Sequence, residues 1–296
     1  MTMSSHNFKF QVVGTIRDVA HVFERELLTV KNIFNNFGSV KMFLVESDSL
    51  DSSVEILENL QETLDDFSFI SLGELEGKMS NRLSRIAYCR EVYLNYVKEH
   101  CQDMDFIVVV DLDGMNSGLS TESVGKTLEL VEHWDAVFAN QGERYYDIGA
   151  LRHKYWSPND CFKVMEWANL ITDRKSSRLL AIQSRMMRIS PSAGLIPVDS
   201  AYGGLAIYKT RAFVRSTYIG NDEYDQPQLD FVTFNLKLRE MGFRLFIDSQ
   251  LINNNFNSHN AGSNIIYRFL KLAARRWESN SFKRKIKQII ISLISR

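Results

Sequence analysis

The first 140 residues alternate short apolar runs with longer segments whose apolar residues recur at helical spacing. Runs of this kind are typical of strands that are buried on both faces, as in parallel sheets covered by helices. The alternation therefore predicts an α/β fold with a mostly parallel central sheet and helices on both faces. The predicted strands are residues 8–16, 40–47, 67–72, 105–111 and 135–140, and the predicted helices are 21–37, 53–64, 80–100 and 121–134.

The remainder of the chain is less regular. "LIPVDSAYGGLAIYKTRAF" (195–213) places a Gly-Gly pair between strand-like runs. A helix is predicted at 228–242, a strand at 243–248, and an Asn-rich loop at 253–264. Without an obvious linker or repeat, residues 1–263 form one predicted domain, whose regular alternation of strands and helices ends near residue 140.

Composition restricts the class of protein. With 45% hydrophobic and 24% charged residues in 296, the chain is typical of a soluble globular protein. Cys89, Cys101 and Cys161 are too widely spaced for a disulfide framework, which predicts a reducing, cytoplasmic location. No signal peptide or membrane-spanning run is expected in the sequence.

The C-terminal segment differs in charge from the rest of the chain. Residues 264–296 contain nine Lys or Arg and one Glu, whereas residues 1–263 carry a net charge of −9. Apolar residues in the segment recur at helical spacing between the cations. This pattern predicts a basic amphipathic helix that lies on an anionic membrane surface; packing on the acidic body or a dimer contact are the alternatives. Nucleic acid is not expected as a partner, because the body is acidic.

The stretch "DFIVVVDLDG" runs a buried strand directly into two carboxylates, Asp111 and Asp113. Residues two apart on a strand point the same way, and ligands of open α/β sheets bind at the carboxyl ends of strands. Two such carboxylates repel each other unless a cation lies nearby. Mn²⁺ or Mg²⁺ prefers oxygen ligands, so the motif predicts a metal–diphosphate site. A plain turn is the alternative.

Other polar groups follow the same edge of the predicted sheet. Arg17 comes after the first strand, and "ESDSLDSS", with Glu46 and Asp48, follows the second, where it would grip a ribose or base or simply cap the next helix. Arg82 and Arg85, with Arg90 as a further candidate, recur on the helix that precedes Asp111. These cations would face a diphosphate or form a solvated face.

Taken in order, these motifs resemble the GT-A glycosyltransferase fold, in which a D-x-D motif binds a divalent ion that holds a nucleotide sugar. Three later segments resemble the cryptococcal mannosyltransferase-like branch and related capsule polysaccharide glycosyltransferases. They are "RYYDIGALRHKYW" (144–156), "VDSAYGGLAIYK" (198–209) and "LDFVTFNLKLREMGFRLFID" (229–248). The resemblance covers residues from about 8 to about 260. It implies that the domain of residues 1–263 has a nucleotide-sugar half at about 1–140 and an acceptor half at about 141–263.

The resemblance implies transfer of a sugar from a UDP- or GDP-sugar to a hydroxyl of a glycan or lipid-linked acceptor. Asp111, Leu112 and Asp113 would form the metal and donor segment, with His259 as a further metal ligand. Asp230, or one of the neighbouring acids Asp222, Glu223 and Asp225, would act as base in an inverting reaction. Relatives often have Glu-His where this chain has Asp230-Phe231. The implied sugar contacts are Tyr146, Asp147, Arg152, Gly203 and Gly204.

Three other functions remain open from the sequence. A nucleotidyltransferase also pairs a nucleotide with carboxylates, but "GTIRDV" lacks the Gly-rich loop with Lys expected after its first strand. A HAD-type phosphatase uses D-x-D with the first Asp as nucleophile, although that motif normally ends the first strand of its domain. A degenerate glycosyltransferase that only binds a partner is the third alternative.

Overall fold

The computed structural model describes residues 7–221 and 228–254. His259, the acids Asp222, Glu223 and Asp225, and the predicted basic helix at 264–296 lie outside these residues. The strands are β1 (Phe8–Ile16), β2 (Gly38–Glu46), β3 (Phe67–Ser71), β4 (Phe106–Val110), β5 (Ala136–Gln141), β6 (Leu195–Pro197), β7 (Leu205–Lys209) and β8 (Leu245–Asn254).

The helices are α1 (Phe23–Phe34), α2 (Ser53–Thr63), α3 (Arg82–His100), α4 (Thr121–Glu129), α5 (Cys161–Asn169), α6 (Arg174–Ala181), α7 (Thr210–Phe213) and α8 (Asp230–Glu240). None of these helices has the length and apolar character needed to cross a bilayer.

The eight strands form one sheet in the order β3-β2-β1-β4-β7-β5-β8-β6. The pairings β2–β3, β1–β2, β1–β4 and β5–β8 are parallel, while β6 and β7 run antiparallel to their neighbours. The predicted α/β fold with a mostly parallel sheet is therefore confirmed. Because β7 is antiparallel between β4 and β5, its first residue pairs with the last residue of β4, Leu205 with Val110.

Helices cover both faces of the sheet, as predicted. One face packs on α1, α2 and α4, in a core that includes Phe23, Leu57 and Val124. The other face packs on α3 and α8, in a core that includes Tyr93 and Phe234. Both faces of the central strands are dry, and this explains why β4 is apolar at each of its five positions.

Two regions differ from the prediction. Strand β8 continues to Asn254, so the first two residues of the predicted Asn-rich loop belong to a strand instead. Asn253 and Asn254 are fully buried and hydrogen-bonded to backbone carbonyls of Gly203 and Gly114, which is why polar residues occupy a buried strand here. The sequence also gave no indication of α6, whose eight residues are too few for a clear helical period.

The three cysteines are free and buried. Burial raises the pKa of the Cys101 thiol to about 11 and that of Cys161 to about 12. Burial also raises the pKa of Cys89, whose Sγ lies 3.4 Å from the hydroxyl of Ser47. Since only the thiolate is nucleophilic, all three groups should be unreactive in the folded chain.

We therefore expect Ellman's reagent at pH 7.5 to modify the native protein at least about 100-fold more slowly than the chain unfolded in guanidinium, where three thiols should react. Absorbance at equal protein concentration in the two conditions measures the difference. Rapid stoichiometric modification of even one thiol in the native protein would contradict the packing described here.

Candidate functional site

A cleft of about 250 Å³ opens at the carboxyl edge of the sheet, where β1, β2 and β4 end beside the start of α3. It collects residues that are up to 98 positions apart in the chain. Of the residues singled out from the sequence, it is lined by Arg17, Asp48, Arg82, Arg85, Arg90, Asp111, Leu112 and Asp113.

The segment after β4 alternates as a strand would. Leu112 is 2% exposed and packs in the core on the side of α1, whereas Asp111 and Asp113 line the cleft on either side of it. The backbone N–H of Asp111 donates to the carbonyl of Gly204, which extends the β4–β7 pairing by one residue. Leu112 thus anchors the segment while its two neighbours present carboxylates.

A buried carboxylate from α1 fixes the turn that follows. Glu26 accepts hydrogen bonds from the backbone N–H groups of Gly114 (2.8 Å) and Asn116 (2.7 Å). The Asn116 amide in turn donates to the carbonyl of Asp111 at 2.5 Å. Burial raises the pKa of Glu26, and the two amide hydrogen bonds oppose that rise. Glu26 therefore positions the acidic turn from below without facing the cleft.

Arg90 is the cation at the centre of the site. Its Nη1 lies 2.6 Å from Oδ1 of Asp230, and its Nη2 lies 3.8 Å from Oδ1 of Asp111. Burial disfavours its charge, but the carboxylates, Asp230 first, outweigh burial and raise its pKa. Arg90 therefore stays charged and links α3 to the end of β4 and to the start of α8.

An aromatic pair holds the Arg90 guanidinium in place. The guanidinium carbon lies 3.9 Å from the ring centroid of Phe231, and the opposing Tyr202 ring stacks on Phe231 at 3.7 Å. Tyr202 also donates its hydroxyl to Oδ1 of Asp111 at 3.1 Å. Phe231 thus supplies a cation–π surface for Arg90.

The acidic pair is electrostatically unfavourable without a further cation. Loss of solvent raises the pKa of Asp111 to about 7; Arg90 opposes the rise, and Asp113 and Asp147 add to it. A divalent cation beside Asp111 would offset both the desolvation and the mutual repulsion. The carboxylate donors present fit a hard ion such as Mn²⁺ or Mg²⁺.

The described residues do not supply a complete set of protein ligands for that ion. Within 7–221 and 228–254, no group of three or more His, Cys, Asp or Glu side chains is arranged to hold a metal. A hard ion at Asp111 and Asp113 would therefore complete its shell with water and with phosphate oxygens of a ligand, as Mg²⁺ often does. The predicted third ligand, His259, lies outside the described residues.

Residues after β2 and at the start of α3 form a second polar network. Asp48 adopts a φ of +58° and accepts hydrogen bonds from the N–H groups of Leu75 and Glu76. These bonds and nearby Arg17 and Arg85 outweigh burial and lower its pKa. Asp48 is therefore a fixed negative charge on one wall of the cleft.

The other predicted donor contacts take part in this network to different extents. Glu46 is buried beneath the loop, where its carboxylate accepts from the Ser71 hydroxyl and the Ser49 N–H. Arg85 is 5% exposed and donates to the carbonyls of Met79 and Ser80. Glu46 thus supports the loop that carries Asp48, and Arg85 reaches the cleft from a fixed position.

Arg17 and Arg82 lie nearer to solvent. Arg17 pairs with Glu76 at 3.0 Å, and that hydrogen bond is the main cause of its raised pKa. Arg82 is exposed in the first turn of α3 and lines the cleft. The two therefore form the cationic part of the rim.

The Gly-Gly segment closes the site on the side of β7. Gly203 and Gly204 have φ of +74° and +87°, and a Cβ on Gly203 would lie 2.5 Å from the carbonyl oxygen of Ala139. Asp147 accepts from the Gly203 N–H at 3.1 Å. The Tyr146 hydroxyl would be 3.3 Å from a Cβ on Gly204. Four of the predicted sugar contacts thus meet at one position beside Asp111.

Arg152 lies in a structural connection. Its guanidinium pairs with Asp160 and donates to the carbonyls of Gly149 and Leu151, and its backbone pairs with Ser200. The residue is 8% exposed. The described contacts therefore make it a support for the segment before Gly203, and its predicted contact with a sugar remains untested.

A larger cavity, of about 540 Å³, lies at the opposite edge of the sheet, near Phe106 at the start of β4 and Lys209 at the end of β7. None of the residues predicted from the sequence lines it. Because ligands of open α/β sheets bind at the carboxyl ends of the strands, the smaller cleft is the better candidate.

Sequence reasoning did not identify Tyr202 or Glu26, and it gave Arg90 no separate role. Tyr202 precedes the Gly-Gly pair without any local signal, and Glu26 resembles other acids on an amphipathic helix. Arg90 carried a weak signal, because a cation follows Cys89 and precedes Tyr93 and Leu94 on the apolar side of its helix. The partners of all three are distant in sequence.

No protein-family model matches the chain, and no curated protein matches its sequence. Solved structures with a similar arrangement include Staphylococcus aureus TarS 1-349, at 12% identity and a TM-score of 0.45, covering 94% of this chain and 69% of that one. Another is the mannosyltransferase PcManGT from Pyrobaculum calidifontis in complex with GDP-Man and Mn²⁺. It has 15% identity and a TM-score of 0.48, covering 95% of this chain and 69% of that one. Likeness of this degree does not assign a family.

The Arg90–Asp230 pair should dominate the stability of the site. Asp230 is 3% exposed, and no described residue hydrogen-bonds its Oδ2, so R90M would leave a buried carboxylate uncompensated. We expect R90M to lower the free energy of unfolding by about 3–5 kcal/mol, and R90M/D230N, which removes both charges, to lower it by less. Urea unfolding at pH 7.5 measures both.

The loss in R90M should also depend on pH. Burial already raises the pKa of Asp230 above its unfolded value, and removing Arg90 raises it further. The folded state then binds more protons than the unfolded state, so the deficit of R90M shrinks as the pH falls toward 5.5. K126M, which breaks an exposed pair with Glu122, is the control and should leave the unfolding midpoint unchanged. A pH-independent deficit would contradict this account of Asp230.

Proposed function

We propose that the protein is a metal-dependent glycosyltransferase that moves a sugar from a nucleoside diphosphate sugar to a hydroxyl of a glycan or lipid-linked acceptor. The observation that carries the proposal is the pair Asp111–Asp113 at the carboxyl end of the central strand, in one cleft with three arginines of α3. Carboxylate oxygens suit a hard divalent cation, and guanidinium groups in the same cleft suit phosphate oxygens, so the two together fit a metal–diphosphate group.

The donor would lie along the cleft from β2 to β4. Asp48 and the loop after β2 would contact the nucleoside, and Arg17, Arg82 and Arg85 would contact the phosphates. Asp111 and Asp113 would hold Mn²⁺ or Mg²⁺, which when bound neutralises the charge that develops on the departing diphosphate. Gly203, Gly204, Asp147 and Tyr146, beside Asp111, would contact the transferred sugar.

Arg90 would set the electrostatics of the reacting end. Its charge lies between Asp111 and Asp230, so it limits the repulsion that an approaching diphosphate would meet from these acids. Tyr202 holds Oδ1 of Asp111, which orients that carboxylate toward the cleft. Both residues therefore support the site by orienting charge and need not react themselves.

The base remains a separate proposal. Asp230 has a buried Oδ2 with no hydrogen-bond partner among the described residues, and its Oδ1 is held by Arg90. If the reaction inverts and Asp230 deprotonates the acceptor, D230N should lower kcat by about 10²–10⁴-fold. If Asp230 only holds Arg90, D230N should keep most of the turnover and lose stability instead.

The metal role has a direct kinetic test. D113N should lower the rate of Mn²⁺-stimulated hydrolysis of UDP- and GDP-sugars by at least about 100-fold, because one ligand of the ion is lost. The rate of sugar transfer to acceptors should fall by the same factor. Released nucleoside diphosphate measures turnover. E122Q, an exposed acid on α4, is the matched control and should turn over like the wild type.

Activity near wild type in D113N would remove Asp113 from the mechanism. Release of phosphate from simple phosphomonoesters, without sugar transfer, would instead favour a phosphatase. Transfer of a nucleotidyl group with release of pyrophosphate would favour a nucleotidyltransferase. A surface polysaccharide as product, and action at the cytoplasmic face of a membrane, are further parts of the proposal that product analysis with lipid-linked acceptors would test.

A further inference from the structure

The pair of helices α5 and α6, residues 161–181, has an inverted pattern of burial. We refer to it as the α5–α6 hairpin. The two helices contact each other, and their buried residues are small: Cys161, Ala168, Ser177 and Ala181. The bulky apolar side chains are exposed instead, and they are Phe162, Trp167, Leu170, Ile171, Leu179 and Leu180.

This exposure is concentrated. The hairpin holds six of the thirteen large apolar side chains that are exposed among the described residues. Leu170 and Ile171, at the turn between the helices, are 82% and 69% exposed, and Trp167 is 56% exposed. Apolar surface of this extent on a folded protein usually marks an interaction surface.

The charge around the hairpin indicates that its binding partner is anionic. Residues 153–189 contain seven Lys or Arg and three acids, a net charge of +4, whereas residues 1–152 and 190–263 together carry −13. Two of the three acids are already engaged, since Asp160 pairs with Arg152 and Asp173 caps α6. Arg174 and Lys175 follow the apolar turn after Thr172 and Asp173, and both are exposed.

We propose that the α5–α6 hairpin docks the protein on an anionic lipid bilayer, with Trp167, Leu170 and Ile171 entering the interface and Arg174, Lys175 and Arg178 contacting lipid head groups. An apolar tip with a cationic rim is the pattern by which surface helices bind such bilayers. Two other occupants of this surface are disfavoured, a second copy of the hairpin and the basic segment 264–296. Each is itself cationic, so it would be repelled by the positive charge around the hairpin.

The hairpin is joined to the segment that precedes the Gly-Gly pair. The Arg152–Asp160 ion pair holds its first turn to the residue that pairs with Ser200. A Cβ added at Gly149 would lie 3.1 Å from Phe162 and 2.7 Å from Leu229, the residue before Asp230, so both side chains approach this glycine closely. Docking would thus fix the height of the cleft above the bilayer, which on the proposed function is where a lipid-linked acceptor would enter.

Vesicle flotation of the full chain without nucleotide tests the docking independently of catalysis. Wild type should bind vesicles of phosphatidylcholine with about 30% phosphatidylglycerol more tightly than phosphatidylcholine alone. L170S/I171S should weaken this binding at least about tenfold, and R174Q/K175Q should weaken it on the anionic vesicles only. L50S changes a side chain that is 94% exposed elsewhere and should bind like wild type.

A second readout is the fluorescence of Trp167. Its emission should shift to shorter wavelength when the protein binds vesicles, and brominated lipid should quench it. Both the shift and the quenching should be smaller in W167F. The proposal is overturned if wild type does not bind the anionic vesicles, or if L170S/I171S binds them as tightly as wild type. It is also overturned if the variant only converts a dimer to a monomer in size-exclusion chromatography while vesicle binding is unchanged. Equal melting temperatures of the variants establish that the fold is retained.

Discussion

Carboxylates delivered to the end of a buried strand need positive charge nearby, and this requirement organises the cleft. Asp111 follows a strand whose five residues are all buried, and Asp113 and Asp147 add their charges. Arg90 supplies one compensating charge from α3 but is shared with buried Asp230. A divalent cation beside Asp111 and Asp113 would offset the repulsion among these carboxylates.

The sheet topology explains how distant segments come to share this charge. Strand β7 lies between β4 and β5 and runs antiparallel to both. Its first residue therefore lies at the edge of the sheet where β4 ends. The Gly-Gly pair before β7 therefore lies beside Asp111, and positive φ values let its backbone pass there without a Cβ. From the other face, Glu26 of α1 fixes the turn after Asp113.

Local pattern was sufficient to predict the fold class, the strand that precedes Asp111 and Asp113, and the edge where Arg17 and Asp48 lie. These features depend on the spacing of apolar residues and on where a strand ends, and both are determined by residues that are close together in the sequence. The network of Arg90, Tyr202 and Phe231 was beyond such reasoning, because it depends on how α3, β7 and α8 meet. Strand β8 was predicted too short, since asparagine is typical of loops and the hydrogen bonds that bury Asn253 and Asn254 are made with residues distant in sequence.

The cleft and the α5–α6 hairpin differ in the kind of side chain that each concentrates. The cleft concentrates charges of both signs around a strand end, and the α5–α6 hairpin concentrates apolar side chains on a cationic rim. Arg152 and Asp160 connect the two regions through a buried ion pair. Arg152, which the sequence predicted to contact a sugar, thus links the hairpin to the segment before Gly203 in its described contacts.

The most direct test of the central claim is a crystal of the protein grown with Mn²⁺ and UDP or GDP, measured for anomalous scattering from manganese. The account predicts an anomalous peak beside the carboxylates of Asp111 and Asp113, with diphosphate oxygens completing the coordination. Nucleotide bound in the cleft with no manganese peak at that position, or manganese bound elsewhere, would contradict it.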